Sequence, residues 1–193
     1  NDSYDGGQVD GITAIRSPGS TLKPFLYAVG FEKGLITPKT KISDVSSNYN
    51  GYEPENYDGK FYGNVSVEFA LANSLNIPAV KLLNMLGVNT FISYLNKANF
   101  RQISKDEKKM GLSVILGGCG TSLEELTSFY CCFANTGIFK PFSFIKTDSV
   151  KKTERLLSDC SVYMTTEILT QLTRPDLPTS WENGVHIPKI AWK

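Results

Sequence analysis

The chain of 193 residues has an ordinary globular composition, 41% hydrophobic and 20% charged, and its length suits a single domain with a sizeable core. The net charge is +1 and the longest basic runs are lysine pairs, which argues against nucleic acid as the main partner because phosphate binding needs a concentrated positive face. No stretch approaches about 20 consecutive apolar residues, so we expect no membrane span within this sequence.

The beginning of the chain is predicted to be a loop, a helix and a second loop. Residues 1–19 are rich in glycine. A helix is predicted from about Ser20 to Glu32, because apolar residues recur there with helical spacing and Gly34 follows the end. Residues 36–65 carry many Asn, Gly and Tyr residues and are predicted to be irregular. A loop of this length inside a compact domain is often functional.

Two helices are predicted around a short polar break. Ser66 can cap a short helix over 67–73. Pro78, near the first position, and Gly87, at the end, delimit the next helix. The break between them is Ser74-Leu75-Asn76, where polar side chains can point into a cleft.

The strongest helix signal lies in the second half of the chain. A short helix is predicted around 91–95, and an apolar run at 111–120 ends in glycines. The clearest helix is predicted over 122–136, because apolar residues share one face there. The Ser-x-x-Glu pattern at 122–125 is a capping box, and the Thr-x-x-Glu pattern at 121–124 is another in the adjacent register.

The remaining residues are predicted to add one helix and a little strand. Residues 138–150 contain alternating apolar positions, Ser161 can cap a helix that continues to about Leu172, and residues 187–192 have strand character. The chain is therefore expected to be mainly helical with little sheet.

Cysteine and histidine usage does not indicate a metal site. The four cysteines show no C-x-x-C pattern and are interpreted as buried free thiols. The single histidine, His186, can hardly support a zinc site and is interpreted as a loop residue. We therefore expect neither a metal nor a cofactor. The cysteines are Cys119, Cys131, Cys132 and Cys160.

Ser20 and Lys23 form a serine-x-x-lysine pattern at the start of the first predicted helix. Residues three apart on a helix share a face, so the serine hydroxyl can reach the lysine amine. A lysine with a lowered pKa can serve as the base that a serine nucleophile needs, and the helix N-terminus favours negative charge. The same pattern at 143–146 and 149–152 lies in regions predicted as strand or loop. The alternative interpretation is an N-cap serine and a solvated lysine.

Two more short patterns complete a known set. Proteins that react with β-lactams through a serine nucleophile carry an S-x-x-K box, an S-x-N-type box and a K-T-G box together. Ser74-Leu75-Asn76 fits the second box, although Ser-x-Asn also occurs at 46–48. Lys193 follows a strand-like approach and stands where the lysine of the third box is expected.

Longer stretches make the resemblance more specific. In chain order they are GGQVDGITAIRSPGSTLKPFLYA, NYDGKFYGNVSVEFALANSLNIPAVKLL, LSVILGGCGTSLEELTSFYCCFANTG and IAWK. The chain resembles the transpeptidase domain of class A penicillin-binding proteins, closest to the 1C branch.

The resemblance implies a role for five residues. Ser20 would be the nucleophile acylated by the D-alanyl-D-alanine end of a peptidoglycan stem peptide, or by a β-lactam. Lys23 would take the Ser20 proton, and Ser74 would relay a proton to the leaving group. Asn76 would hold the substrate amide and position Lys23, and Lys193 would steer the substrate carboxylate. The Ser20 N–H would form half of the oxyanion hole.

The resemblance also implies a fold. The family packs a five-stranded antiparallel sheet between helices. Residues 1–193 are expected to be one partial transpeptidase domain, truncated at both ends, that belongs to the α/β class, is mainly helical and lacks most of the sheet. We expect the uncovered apolar helix faces to promote self-association.

The expected function of the parent protein is peptidoglycan cross-linking by a serine DD-transpeptidase that, as a complete domain, also binds β-lactams covalently; the fragment by itself is expected to be inactive. Leu75 stands where class A β-lactamases have Asp, and no Glu-x-x-Leu-Asn segment is present, the nearest being residues 124–127. Both departures favour a long-lived acyl-enzyme. The alternatives are a non-catalytic β-lactam sensor or scaffold, and a serine DD-carboxypeptidase or β-lactamase.

The resemblance implies partners and a location as well. Expected partners are peptidoglycan stem peptides and β-lactam antibiotics, without nucleic acid, and any membrane contact would be made by segments outside this sequence. The expected location is the bacterial cell envelope, on the periplasmic side of the inner membrane.

Overall fold

The computed structural model describes residues 9–143, 153–171 and 191. These residues contain seven α-helices and four short strands. The helices are α1 (Lys23–Glu32), α2 (Val67–Ala72), α3 (Asn76–Leu86), α4 (Val88–Lys97), α5 (Arg101–Asp106), α6 (Leu123–Ala134) and α7 (Asp159–Leu169). Three 3-10 helices lie at Gly19–Leu22, Glu107–Lys109 and Leu112–Leu116. The mainly helical α/β class predicted from the sequence is confirmed.

The four strands form two small antiparallel pairs within these residues. Strand β1 (Lys41–Asp44) pairs with β2 (Gly63–Ser66), with Asp44 opposite Gly63. Strand β3 (Ile138–Phe139) pairs with β4 (Glu154–Arg155). The prediction that residues 36–65 are irregular was therefore wrong at both ends of that segment. Four-residue strands are too short to produce a clear alternating pattern.

Helix α1 is the centre of the fold. All of its residues from Lys23 to Phe31 are buried, as expected for a helix that is apolar on every side. It packs mainly against α7 and α3. The approach of α3 is close at Gly30, where an added Cβ would lie 2.9 Å from the Ile36 side chain and 3.3 Å from that of Leu82.

An aromatic cluster joins α1 to α6. The rings of Phe25 and Phe129 stack edge to face with centroids 4.4 Å apart, and Phe100 lies 5.2 Å from Phe129. Phe91 and Phe133 surround the same pair. Such aromatic pairs add stability beyond the area that they bury.

Helix boundaries follow side-chain caps. Ser66 caps α2 as predicted, by accepting from the Phe69 N–H. The capping box at 122–125 is confirmed, whereas the second box at 121–124 is wrong, because Thr121 Oγ1 donates to Glu125 instead.

Other boundaries depart from the predictions. Helix α7 begins at Asp159 with Ser158 as its cap, not Ser161, and ends at Leu169. Helix α5 was not predicted; its six residues bury only Ile103, so they carry no apolar period. Residues 138–150 do contain a strand at their start, while 144–150 lie outside the described residues.

Several sequence predictions fall outside the described residues. They are the loop position of His186, the role of Lys193 and the strand over 187–192, of which only Ala191 is described.

The cysteines are all free, but they are not all buried. Cys132 is buried and Cys119 is half-buried, whereas Cys131 and Cys160 are exposed. Successive residues of a helix point about 100° apart, so only one of Cys131 and Cys132 can face the core. Burial raises the pKa of Cys119 and of Cys132 to about 11, so neither is a reactive thiolate at neutral pH.

Candidate active site

The amine of Lys23 is fully buried and is held by Ser74, which precedes α3, and by Asn76, the first residue of α3. Lys23 lies in the first turn of α1 and has 0% exposure. Its Nζ donates to Ser74 O and to Asn76 Oδ1, both at 2.6 Å, and Ser74 Oγ lies 3.4 Å away. A buried amine needs such partners, because removing it from water without them is very unfavourable. The interpretation of Lys23 as a solvated lysine is wrong.

The turn at Ser74 has an unusual backbone. Ser74 adopts a left-handed conformation with φ of 56°, which costs about 1–2 kcal/mol in a residue that has a Cβ. Backbone hydrogen bonds from Ser74 N to Leu71 O and from Leu75 N to Ala70 O close the turn, and Leu75 is buried beneath it. The turn brings both the carbonyl and the hydroxyl of Ser74 to Lys23.

The side-chain amide of Asn76 has a defined orientation. Its Oδ1 accepts from Lys23, and its Nδ2 donates to Glu55 O at 2.7 Å. An amine with hydrogens aimed at oxygen is a donor and a backbone carbonyl only accepts, so the amide cannot be reversed without losing both bonds. Asn76 also donates its backbone N–H to Asn56 Oδ1 at 2.8 Å.

Ser20 lies on the wall of the same cleft. It is half-buried in the 3-10 turn Gly19–Leu22, directly before α1. The cleft has a volume of about 520 Å³, and Ser74 and Asn76 line it together with Ser20. Ser20 is not the cap of this helix, since Pro18 occupies that position and no side chain caps it. The hydrogen bond between Ser20 and Lys23 stays a prediction.

The turn that carries Ser20 is anchored to the glycines after Leu116. Ser17 Oγ donates to Gly117 O at 2.8 Å, and Arg16 and Thr121 exchange backbone hydrogen bonds of 2.8 and 2.9 Å. Gly117 has φ of 94°, and an added Cβ would lie 2.9 Å from Gly19 N. Only a residue without a side chain allows this approach. Tyr130 of α6 also donates to Thr21 O at 2.6 Å.

A second layer of polar residues was not predicted from the sequence. Asp44, with 0% exposure, accepts from Asn56 Nδ2 at 2.9 Å on each carboxylate oxygen and from Tyr62 N at 2.8 Å. Burial, then the nearby Asp44 charge, raises the pKa of Tyr27. The density of Asn, Asp and Tyr in 44–62 was the available signal for this layer, but it did not indicate which residues meet.

One acidic side chain lies at the surface of the cleft. Asp58 accepts from Tyr62 Oη at 2.6 Å and from Lys60 N at 3.1 Å. These hydrogen bonds, that from Tyr62 first, lower the pKa of Asp58. Glu124 and Glu125 line a different cleft.

The described residues contain neither a cluster suited to hold a metal ion nor a helix able to cross a membrane. Over 9–143, 153–171 and 191, no three His, Cys, Asp or Glu side chains are grouped so as to hold a metal ion. The helices in these ranges are too short to span a bilayer.

The chain matches one family model and several curated proteins. The family described as the penicillin binding protein transpeptidase domain matches residues 1–184. The chain is 34% identical to penicillin-binding protein 1C of Escherichia coli (strain K12) over 193 residues, which are 100% of this chain and 24% of that protein. It is 32% identical to penicillin-binding protein 1F of Bacillus subtilis (strain 168) over 182 residues, 88% of this chain and 25% of that protein. The chain thus spans about a quarter of the length of these curated relatives.

Proposed function

The chain belongs to the penicillin-binding protein transpeptidase family, and from this premise we propose that it carries the acyl-transfer site of a serine DD-transpeptidase that cross-links peptidoglycan. The observation that carries the proposal is the fully buried Lys23 amine, held at 2.6 Å by Ser74 O and by Asn76 Oδ1. Ser20 lies three residues earlier, on the wall of the cleft that Ser74 and Asn76 also line.

The first half of the proposed reaction forms an acyl-enzyme. Ser20 Oγ attacks the carbonyl carbon of the penultimate D-alanine, and Lys23 takes the hydroxyl proton. The new ester bond replaces the peptide bond, and the terminal D-alanine leaves with a proton relayed through Ser74. In the second half, an amine of another stem peptide attacks the ester, forms the cross-link and returns a proton to Ser20 Oγ.

Two short hydrogen bonds orient the Lys23 amine for the role of a base in the proposed reaction. A neutral amine has two hydrogens and one lone pair. Ser74 O and Asn76 Oδ1 accept two hydrogens at short distance, which orients the amine so that its lone pair can take a proton from a hydroxyl.

The proposed acyl-enzyme is long-lived, which favours a transpeptidase over a β-lactamase. Glu124 and Glu125, the acidic residues nearest in pattern to a deacylating segment, line another cleft. Asp58 does lie in the Ser20 cleft, but the Tyr62 hydroxyl lowers its pKa and so makes it a weaker proton acceptor. We propose that β-lactams acylate Ser20 and remain bound. Lys193, outside the described residues, would recognise the substrate carboxylate.

Intact-mass spectrometry after incubation with a labelled penicillin tests the proposal. The full-length protein and this 193-residue chain are each compared with their Ser20→Ala variants. Ser143→Ala is the matched control, because Ser143 begins another serine-x-x-lysine pattern. We expect one adduct on the full-length protein, lost in Ser20→Ala and kept in Ser143→Ala.

The other outcomes separate the alternatives. A folded full-length protein that never gains an adduct would contradict the proposal and favour a scaffold. An adduct without cross-linking of stem peptides would indicate a sensor. Rapid release of hydrolysed penicillin would indicate a β-lactamase. If only the full-length protein reacts, residues outside this sequence complete the site.

A further inference from the structure

A series of hydrogen bonds connects Asp44, at the end of β1, to the Lys23 amine; Asp44, Asn56 and Lys23 are buried and Asn76 is half-buried. Asp44 accepts from Asn56 Nδ2, Asn56 Oδ1 accepts from Asn76 N, and Asn76 Oδ1 accepts from Lys23 Nζ. We propose that Asp44 and Asn56 are positioning residues that hold Asn76, and through it the Lys23 amine, in the geometry that deprotonates Ser20. This inference rests on the acyl-transfer function proposed above.

Asn56 makes bonds that only an amide can make. Its Nδ2 donates to both Asp44 oxygens at 2.9 Å and to Lys60 O at 2.8 Å, while its Oδ1 accepts from the Asn76 N–H at 2.8 Å. A carboxyl group at this position would place one negative charge against another. An apolar side chain would leave a buried carboxylate and a backbone N–H without these partners. The residue type at position 56 is thus set by its neighbours on both sides.

Asp44 anchors the loop as well as the amide. It also accepts from the Tyr62 N–H at 2.8 Å, so both ends of the 56–62 segment are bound to one carboxylate. That carboxylate is at the last residue of β1, which is paired with Gly63 of β2. The segment includes Tyr57, Asp58 and Tyr62 of the cleft wall. The paired strands therefore provide a rigid base for one side of the cleft.

The Glu55 carbonyl completes the support of Asn76. It accepts from Asn76 Nδ2 at 2.7 Å, and Glu55 directly precedes Asn56 in the sequence. The two residues therefore bind Asn76 at its side chain and at its backbone. A shift of Asn56 would move both contacts together, and with them the oxygen that holds Lys23 Nζ at 2.6 Å. A displacement of about 1 Å in a catalytic group can lower the rate by about 10²-fold.

The test compares acylation of three full-length variants with the unsubstituted protein. Asn56→Asp and Asn56→Ala interrupt the series of hydrogen bonds between Asp44 and Lys23. The isosteric Asp44→Asn keeps an acceptor for the Tyr62 N–H while it removes the negative charge. Glu32→Ala is the matched control, because Glu32 accepts three hydrogen bonds from Ser158 and Ser161 at the other end of α1. Stopped-flow mixing with a chromogenic β-lactam gives the acylation rate constant and the dissociation constant of the complex that precedes it.

The expected result is a fall in the acylation rate constant of about 10²-fold in Asn56→Asp, with a smaller fall in Asp44→Asn and little change in the dissociation constant. Glu32→Ala should lose thermal stability and keep its acylation rate. Unchanged acylation in a folded Asn56→Asp or Asp44→Asn variant would overturn the proposal. So would rates that follow the melting temperature across all variants, the control included, because that is the signature of a merely structural role.

A second readout does not depend on the reaction of Ser20 with a β-lactam. Acetic anhydride labels amines, and peptide mass spectrometry reports the modification of Lys23. We expect faster labelling of Lys23 in Asn56→Ala than in the unsubstituted protein or in Glu32→Ala. If a β-lactam does not acylate Ser20 of the unsubstituted protein but Lys23 is labelled faster in Asn56→Ala, the proposed function fails. The inference that Asn56 positions Lys23 then still stands. If Lys23 labelling is the same in all of them, the positioning proposal is wrong.

Discussion

Two asparagines in the site are selected by hydrogen-bond chemistry rather than by size. Asn76 accepts from Lys23 and donates to Glu55 O, and Asn56 accepts from Asn76 N and donates to Asp44. Only a side chain with both a carbonyl and an NH₂ group can do this. Aspartate has nearly the same shape, yet it cannot donate when ionised. At this scale, an isosteric change in the site is a large chemical change.

A pair of substitutions at Ser74 separates its hydroxyl from its backbone. Ser74→Ala and Ser74→Gly both remove the Oγ that lies 3.4 Å from Lys23 Nζ. Glycine adopts a φ of 56° without penalty, so Ser74→Gly should be more stable than Ser74→Ala by about 1 kcal/mol. Acylation should be slowed equally in both, by about 10²-fold. Urea unfolding and acylation kinetics check the two parts; a Ser74→Gly variant with the original rate would show that the hydroxyl is dispensable.

At the scale of elements, the site depends on where α6 and the glycine turn after Leu116 meet the start of α1. Gly117 contacts Gly19, and Tyr130 binds the Thr21 carbonyl. These contacts join segments about a hundred residues apart, so the turn that carries Ser20 is held from outside its own helix. Helix α6 is itself oriented by Glu125, which is 5% exposed and accepts from Arg101 and Thr121.

Glu125 should make stability depend on pH in the acidic range. Burial opposes its ionisation, but hydrogen bonds from Arg101, Ser122 and Thr121 outweigh that effect, and the pKa lies below its usual value of 4.5. A lowered folded-state pKa means that this contribution is present above about pH 4.5 and is lost as the pH falls through the folded-state pKa. Glu125→Gln should cost about 1.5–3 kcal/mol at pH 7 and flatten the acid side of the stability curve. Chemical unfolding between pH 3 and 7 measures this; an unchanged slope would contradict it.

At the scale of the whole molecule, α1 connects the site to the core. Its first turn places the Lys23 amine, and its last turn binds the N-terminus of α7 through Glu32 and Ser158. Between them the helix is buried, with Phe25 in the aromatic cluster. Protein interiors are closely packed and resist deformation. The amine is therefore fixed to a helix that is buried along nearly its whole length.

Phe129→Ala tests how much the aromatic cluster contributes. Phe129 has 0% exposure and lies 4.4 Å from Phe25 and 5.2 Å from Phe100, ring centre to ring centre. Its truncation should cost about 3–5 kcal/mol. Tyr163→Ala, at a side chain that is 68% exposed, is the control and should change stability by about 0.5 kcal/mol or less. Thermal and chemical denaturation provide the measurement; similar losses in both variants would mean that the cluster is not the centre of the core.

Local patterns pointed to candidate site residues that lie close to one another in the chain. Ser20 and Lys23 are three residues apart at a helix start, and Ser74 and Asn76 are two apart at the start of α3, so spacing singled out both pairs as candidates. The family resemblance, now confirmed by the match over residues 1–184, joined the pairs. The burial of Lys23 was not predicted, because a lysine beside a helix start is usually solvated.

By itself, the sequence determined the family and the helices whose apolar period is local, such as α1 and α6, and it predicted which residues would carry the proposed chemistry. Only the tertiary structure decided that Lys23 is enclosed by Ser74 and Asn76, that strands form within 36–65, and that Asp44 and Asn56 support the site. The physical reason is the separation along the sequence over which each interaction acts. Helical period and capping act over three or four residues, whereas the hydrogen bonds of a buried amide depend on segments that packing alone brings together.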